Sequence, residues 1–208
     1  MAASRSLDIF PVAAGLARMA HAKDGDTFDH GCRMKPVCGM LAVRLGIDAE
    51  DVEKVGVCAM LHDIGKSTLP DSILFKPGRL EAGEYRQVME HTSSGHDLLR
   101  GLGHPWFDDA ANAALSHHER FDGSGYPRGT AGLAIPLSAR IIAVADVYDA
   151  LRAERPYKRA LSHEQAVTLI LRGDDRTSPS HFDPDVLAAF EHGAPVIRQL
   201  YDGEAGAA

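Results

Sequence analysis

The stretch DVEKVGVCAMLHDIGK, residues 51–66, carries apolar residues at intervals of three and four and then reaches a polar pair. The spacing, as at Val52 and Val55, predicts an α-helix with one buried face. His62 and Asp63 interrupt the apolar run near the end of this helix, so we expect the pair to point inward. Burying such groups without partners costs several kcal/mol. Metal coordination would offset that cost, and so would a hydrogen-bonded pair in the core.

The same periodicity extends along the chain, and strand-like alternation is nearly absent. Asp48 is predicted to cap the third helix, and Ser162 with Gln165 forms a capping-box pattern for the seventh. The predicted fold class is therefore all-α, a single helical bundle of about seven to eight helices. Helices are predicted near residues 8–22, 27–46, 49–63, 82–101, 108–119, 137–153, 163–172 and 184–200.

Composition excludes several classes of protein. The 208 residues are 45% hydrophobic and 25% charged, which is typical of one globular domain. A net charge of −7 argues against binding of a nucleic acid polymer. No apolar run approaches the ~18 residues of a membrane span, and the N-terminus lacks the apolar core of a signal peptide, so we expect a cytoplasmic protein without a membrane partner. The three cysteines form no CxxC pair and are expected to be reduced: Cys32, Cys38 and Cys58.

The eleven histidines divide into two sets. One set, together with two aspartates, is spread over five predicted helices or their ends, and the helices of a bundle can aim such side chains at one central point. This set comprises His30, His62, Asp63, His91, His117, His118 and Asp146. The other histidines share no pattern and are interpreted as solvated or capping residues: His21, His96, His104, His163, His181 and His192.

Five motifs now occur in order: LHDIGKSTLPDSILFKPG, MEHTSSGHDLL, HHERFDGSGYPRG, IPLSARIIAVADVYDALRAERPYKRALS and HFDP. The chain resembles the HD-GYP branch of the HD-domain phosphohydrolases over residues 24–192. The resemblance implies an HD-domain-like helical core with a Gly-Tyr-Pro loop. It also implies a metal-dependent phosphodiesterase that hydrolyses the bacterial second messenger cyclic di-GMP to pGpG, GMP or both.

The resemblance also implies two divalent metal ions. One ion would take His30, His62, Asp63 and Asp146, and the second would take His91, His117 and His118, with Asp63 bridging the two. Five imidazoles and two carboxylates suit Fe, Mn, Zn or Ni better than Mg or Ca, and the family favours iron or manganese. Two such ions can lower the pKa of a bridging water, so that hydroxide attacks phosphorus in line.

Four residues match the substrate contacts of the family. Lys66 corresponds to the lysine that meets the substrate phosphate, so Asp63 and Lys66 are the expected catalytic residues. Tyr126 offers an aromatic face to a base. Arg155 and Lys158 match residues that meet the nucleotide, and a guanidinium can bind phosphate bidentately or the edge of guanine.

Further acidic residues have two interpretations each. Asp26 lies four residues before His30 and is either the ligand of a third metal or the N-cap of its helix. Some members of the family bind a third ion with an acidic residue there, normally glutamate, whereas this chain has the shorter aspartate, so we predict two ions. Asp149 either faces the pocket or holds a histidine, and the second role is favoured. Glu119 and Asp122 are expected to orient the loop or a histidine.

The predicted organisation is an N-terminal helix at 1–23, an HD-GYP catalytic domain at 24–200 and a flexible tail at 201–208. The region before the catalytic domain is expected to be too short for a sensor domain, so regulatory input is expected from a protein partner in trans or simply from substrate supply, and a homodimer stays open. Two other functions also stay open. One is the same chemistry on another cyclic dinucleotide or nucleotide, and the other is a non-enzymatic receptor. The stretch RTSPSHFDP lacks the glycine that is common in the family, which leaves its turn undefined.

Overall fold

The fold is a bundle of α-helices, described by a computed structural model for residues 9–154 and 159–205. Within these residues there are ten α-helices and no β-strand, which confirms the predicted fold class. The helices are α1 (Ile9–Asp24), α2 (Thr27–Arg44), α3 (Ala49–Leu61), α4 (Asp71–Leu74), α5 (Ala82–Met89), α6 (His91–Arg100), α7 (Pro105–Ser116), α8 (Leu137–Arg152), α9 (His163–Arg172) and α10 (Pro184–Ala205).

Helix α2 occupies the centre of the bundle, because it packs against α1, α3, α8 and α10. Fully buried side chains fill the spaces between these helices, among them Leu41 of α2, Met60 of α3, Ile142 of α8 and Phe190 of α10. Helix α3 also packs on α7, and α6 packs on α7 and on the turn that follows α3. The ends of α3, α6 and α7 are thereby brought together beside α2.

Local capping occurs where the sequence predicts it. Asp48 accepts a hydrogen bond from the backbone N–H of Asp51 at the start of α3. Ser162 and Gln165 form reciprocal capping bonds at the start of α9. Each bond satisfies a backbone donor that has no partner within the helix.

The prediction of a single helix at 82–101 is wrong, because two helices, α5 and α6, meet at Glu90. Side chains just after the break bond to backbone carbonyls just before it: His91 to Val88, and Thr92 to Met89. Local bonds of this kind compete with a continuous helix. Residues 90–97 include no large apolar residue, so the apolar pattern does not mark where one helix ends and the next begins. The four-residue helix α4 was also not predicted.

The C-terminal helix extends past the predicted start of a flexible tail. Residues 201–205, which the sequence analysis assigns to the tail, are helical and belong to α10. Tyr201 is buried, and its ring lies 5.3 Å from that of Tyr148 between centroids. A buried aromatic anchor of this size stabilises the last turns of the helix.

The described residues include the three cysteines and all the helices that could be compared with a membrane span. The cysteines are free, with Cys38 and Cys58 buried and Cys32 half-buried, as predicted. Among the described helices, none combines the length and the apolar composition needed to cross a bilayer.

Candidate metal centre

Seven side chains converge in two neighbouring groups, and they are the seven that the sequence predicts as metal ligands. The His30 group consists of His30, His62 and Asp146, and the His91 group consists of Asp63, His91, His117 and His118. Within each group, one potential ligand atom per residue lies within 4.8 Å of every other. All the imidazoles except that of His118 are buried.

Helix ends place most of these residues. His62 directly follows the last residue of α3, and His117 directly follows the last residue of α7. His91 begins α6, while His30 lies in the first turn of α2 and Asp146 lies within α8. The last carbonyls of a helix have no partner within it, so a side chain at a helix end can use them.

Three imidazoles use such carbonyls. The Nδ1 atoms of His62, His91 and His117 each donate to the backbone carbonyl three residues earlier, at 2.8, 2.6 and 2.8 Å. A carbonyl oxygen only accepts, so Nδ1 carries the proton in each ring and Nε2 presents its lone pair. Imidazoles that bind metal are commonly held in this way, with the outer nitrogen donating and the inner one coordinating.

In the His91 group, these lone pairs face one another. The Nε2 atoms of His91 and His117 lie 3.3 Å apart. Oδ1 of Asp63 lies 3.3 and 3.7 Å from them. Burial lowers the pKa of both imidazoles, which favours their neutral form. No proton then lies between the two Nε2 atoms to bond them to each other. Two nitrogens about 2.1 Å from one ion and roughly 90–109° apart would be ~3.0–3.4 Å from each other. The donor set and its spacing therefore fit a divalent metal ion.

The His30 group also attracts positive charge. Nε2 of His30 lies 3.3 Å from Nε2 of His62 and 3.4 Å from Oδ1 of Asp146. Nδ1 of His30 donates to Oδ2 of Asp149 at 2.7 Å, so the prediction that Asp149 holds a histidine is confirmed. Burial alone would lower the pKa of His30, whereas hydrogen bonds to Asp146 and Asp149 raise it, to about 10. This corner favours a cation, whether a proton or a metal ion.

Asp63 connects the two groups. Its Oδ1 belongs to the His91 group, while its Oδ2 lies 3.4 Å from Nε2 of His62. Lys66 donates to the same Oδ2. Burial alone would raise the pKa of Asp63, but Lys66 and His62 hold it well below its usual value. An ionised carboxylate with one oxygen at each group has the geometry of a bridging ligand.

The Gly-Tyr-Pro loop folds back onto His118. The backbone N–H of Tyr126 donates to the carbonyl of His118 at 3.1 Å, and the two ring centroids are 4.7 Å apart. A Cβ at Gly125 would lie 2.5 Å from that carbonyl oxygen, so only glycine permits this approach. Tyr126 is thereby placed at the edge of the His91 group.

The two acidic residues beside this loop hold its backbone. Glu119 is buried and accepts two backbone N–H bonds from within the loop, at 2.8 and 3.0 Å. Asp122 accepts from the hydroxyl of Ser180 at 2.9 Å. Both acidic residues therefore orient the loop, as predicted.

The turn that lacks the family glycine is capped by Ser178, whose hydroxyl oxygen accepts from the backbone N–H of Ser180.

Three residues near the centre were missed by the sequence analysis. Arg33 and Tyr201 both donate to Asp149. Tyr85 of α5, 49% exposed, has its ring centroid 6.4 Å from that of Tyr126. Arg33 could have been found, because it lies three residues after His30 and so shares its helical face. Nothing local marks Tyr85 or Tyr201.

Three other residues were predicted to bind metal or substrate. Asp26 lies apart from the two groups, and Arg155 and Lys158 lie outside the residues that the structure describes. Asp26 immediately precedes α2 but makes no side-chain capping hydrogen bond. Its side chain is 61% exposed and lies 3.5 Å from Nη2 of Arg33. Neither metal-ligand group includes it.

Comparison with known proteins gives matches over most of the chain. A family model described as "HD domain" matches residues 15–186. The "Cyclic di-GMP phosphodiesterase response regulator RpfG" of Xanthomonas campestris is 42% identical over 185 residues, which are 89% of this chain and 48% of that protein. The "Cyclic di-GMP phosphodiesterase" of Thermotoga maritima is 38% identical over 94% of this chain and 52% of that protein. The "3'3'-cGAMP-specific phosphodiesterase 1" of Vibrio cholerae is 38% identical over 78% of this chain and 37% of that protein.

Solved structures share the fold. An HDG"Y"P protein from Bdellovibrio bacteriovorus aligns with a TM-score of 0.62 at 18% identity, over 91% of this chain and 59% of that one. A cyclic GMP-AMP specific phosphodiesterase from V. cholerae aligns with a TM-score of 0.60 at 17% identity, over 90% of this chain and 51% of that one. The chain spans about half the length of the first two curated relatives.

Proposed function

Because this chain belongs to the HD-domain family, and to its HD-GYP branch, we propose that it is a metal-dependent phosphodiesterase that hydrolyses cyclic di-GMP to pGpG, GMP or both. One observation carries the proposal. Two imidazole lone pairs and one carboxylate oxygen, from His91, His117 and Asp63, converge at spacings that suit a shared cation. The neighbouring His30 group supplies a second such position.

The seven residues of the two groups would hold two divalent ions. Their mixture of imidazole nitrogen and carboxylate oxygen favours Fe, Mn, Zn or Ni over Mg and Ca, and among these we propose iron or manganese. When bound, the ions supply Lewis acidity that makes water a nucleophile at neutral pH and neutralises charge on a phosphate. Asp26 lies outside both groups, so two ions are proposed and not three.

The chain's own residues would then act on the phosphodiester. Lys66 donates to Oδ2 of Asp63 at the junction of the two groups, where its charge can stabilise the transferring phosphoryl group. The proposed reaction breaks the bond between phosphorus and the ribose 3′ oxygen. Tyr126 lies beside His118 with an aromatic face for a base. Arg155 and Lys158 would contact the nucleotide, as their match to the family implies.

A second candidate substrate is 3′3′-cGAMP. The V. cholerae relative named for that substrate matches this chain at 38% identity. Cyclic di-GMP is preferred, because RpfG, named for it, matches more of this chain at higher identity. A non-enzymatic receptor is disfavoured, since all seven ligand positions hold residues able to bind metal. A regulatory protein partner and a homodimer remain predictions.

Product analysis tests the proposal. Protein loaded with Mn²⁺, or with Fe²⁺ under anaerobic conditions, would be incubated with cyclic di-GMP, 3′3′-cGAMP and cyclic di-AMP, and the products separated by chromatography. We expect cyclic di-GMP to be cleaved fastest, with pGpG or GMP as products, and no cleavage after treatment with a chelator. Equal or faster cleavage of 3′3′-cGAMP would overturn the substrate assignment. Metal-loaded protein that binds these nucleotides without cleaving any would support the receptor instead.

A further inference from the structure

The carboxylate of Asp149 joins three helices behind the His30 group. It lies in α8, is 1% exposed and has both oxygens occupied. Oδ2 accepts from Nδ1 of His30 at 2.7 Å and from Nη2 of Arg33 at 3.0 Å, and both of these residues belong to α2. Oδ1 accepts from Nε of Arg33 at 2.7 Å and from the hydroxyl of Tyr201 at 2.8 Å. The orientation of the His30 ring therefore depends on two further donors to Asp149, which are Arg33 of α2 and Tyr201 of α10.

Tyr201 comes from α10, beyond the last residue that the family model matches. Its ring is 4% exposed and stands edge to face with that of Tyr148. The guanidinium of Arg152 lies 5.4 Å from the ring centroid and forms an ion pair with Asp202, the next residue of α10. The ring is thus fixed on both sides, and its hydroxyl is aimed at Asp149.

We propose that Tyr201 is a positioning residue of the metal centre, which acts through Asp149 and His30 to set the affinity of the His30 group for its ion. A carboxylate behind a metal-binding imidazole fixes both the tautomer and the ring direction, and mutating such partners typically lowers metal affinity about 10- to 100-fold. The inference rests on the two ion positions of the proposed function, but not on its substrate.

The effect should be confined to one ion. The Nδ1 atoms of His62, His91 and His117 donate to backbone carbonyls three residues earlier, and a substitution of a remote side chain does not remove these acceptors. Among these rings and within the described residues, the His30 ring is the one held by a side-chain network that includes α10. Loss of the Tyr201 hydroxyl should therefore weaken the His30 group and leave the His91 group unchanged.

Metal titration of Tyr201→Phe tests this, because the substitution removes only the hydroxyl. Chelator-stripped protein would be titrated with Mn²⁺ by equilibrium dialysis with elemental analysis. We expect wild type to bind two ions, and the variant to bind one with unchanged Kd and the other about 10- to 100-fold more weakly. Tyr148→Phe is the matched control. Tyr148 is also buried, but its hydroxyl pairs with Nδ1 of His163, so both Kd values should stay at the wild-type level.

Two results would overturn the inference: unchanged binding of both ions in Tyr201→Phe, or equal weakening of both. Arg33→Lys provides a second variant should Tyr201→Phe fail to fold, because it keeps the charge but loses the two-point contact with Asp149. The same selective loss is expected there, and unchanged binding would again count against the Asp149 network. Since bound metal is the readout, a wild type that binds two ions but cleaves no nucleotide would refute the proposed function alone.

Discussion

The His30 group differs from the His91 group in how one of its imidazoles, that of His30, is held in place. In the His91 group, His91 and His117 donate from Nδ1 to carbonyls only three residues away. In the His30 group, His62 does the same. His30 instead donates to Asp149, which is 119 residues away in the sequence. The first arrangement needs only one turn of backbone to orient the imidazole. The second orients the His30 ring only when α2, α8 and α10 are packed together.

The two kinds of hydrogen-bond acceptor make some histidines more sensitive to substitution than others. A backbone carbonyl is present whatever the side chains are, so a locally held histidine keeps its direction as long as its helix end forms. A histidine held by a remote carboxylate loses its direction when any member of the network is changed. Substitutions in the contacts between α2, α8 and α10 should therefore affect the His30 group first. Substitutions at the junction of the two groups should affect both.

The largest effect is expected at that junction. Asp63→Asn removes the charge of the carboxylate that has one oxygen at each group. Turnover of cyclic di-GMP should fall by about 10³-fold or more, because both ions depend on this residue. Elemental analysis should show reduced metal content, whereas circular dichroism should show that helix content is retained, since the apolar core is untouched.

Asp51→Asn is the control for this variant. Asp51 lies in the first turn of α3, is exposed and pairs with Lys54, so turnover and metal content should match those of wild type. Near-normal turnover and full metal content in Asp63→Asn would contradict the bridging role and leave the two groups independent of one another.

The second effect concerns the backbone that joins the groups. A Cβ on Gly65 would lie 2.0 Å from the carbonyl oxygen of His91 and 2.6 Å from the backbone nitrogen of Gly95. Backbone atoms cannot rotate away, so Gly65→Ala must push the turn after α3 off α6. We expect a loss of about 3 kcal/mol in the free energy of unfolding, measured in urea, at the upper end of overpacking costs. The His91 group should lose its ion before the His30 group does, because Asp63 moves away from His91.

Gly83→Ala in α5 serves as the comparison. The nearest atom to its added Cβ is Nη2 of Arg86 at 3.8 Å, so stability should be unchanged or raised by up to ~1 kcal/mol. If Gly65→Ala were as stable as this control, the close packing of the turn on α6 would not be needed to hold the two groups together.

The sequence predicts the helices well where the apolar periodicity starts and stops with clear signals, as at Asp48 and Ser162. It fails at Glu90, because the break depends on side-chain bonds to carbonyls that periodicity does not detect. It fails again at the end of α10. Charged and small residues follow Tyr201 and suggest a tail, but the burial of that ring on α8 continues the helix.

The candidate site shows the same division. The seven residues of the two groups were identified because histidine and aspartate stand in motifs whose order matches a known family. Arg33 and Tyr201, which hydrogen-bond to Asp149 and so orient His30, belong to no such motif. Tyr201 is 52 residues from Asp149, and only the packing of α10 on α8 reveals their contact. Family motifs therefore predict the side chains that converge in the two groups better than the network that orients those side chains.

A smaller effect is expected from Lys23 of α1, which holds the segment after Lys66. Its Nζ donates to the carbonyls of Ser67 and Leu69 at 3.0 and 2.6 Å. Lys23→Met should release this segment and lower kcat/KM about 10-fold, equivalent to ~1.4 kcal/mol, in line with the loss of a charged hydrogen bond. Both ions should remain bound, because every ligand keeps its own support.

Lys54→Met is the matched lysine variant. Lys54 pairs with acidic residues on the exposed surface of α3, so kcat/KM should not change. Loss of either ion in Lys23→Met would mean that α1 supports the metal ligands themselves.

The smallest effect is expected from Asp26→Ala, which sharpens the comparison at the outer edge of the His30 group. Asp26 precedes α2 without making a side-chain cap, and its carboxylate meets Arg33 in an exposed ion pair of 3.5 Å. Exposed pairs of this kind contribute about 0.2–1 kcal/mol, so the free energy of unfolding should fall by no more than that. Arg33 keeps its two bonds to Asp149 in this variant, so the metal content should stay at two ions per chain. A wild type that binds three ions, falling to two in Asp26→Ala, would make this residue a ligand and extend the His30 group beyond the network that holds it.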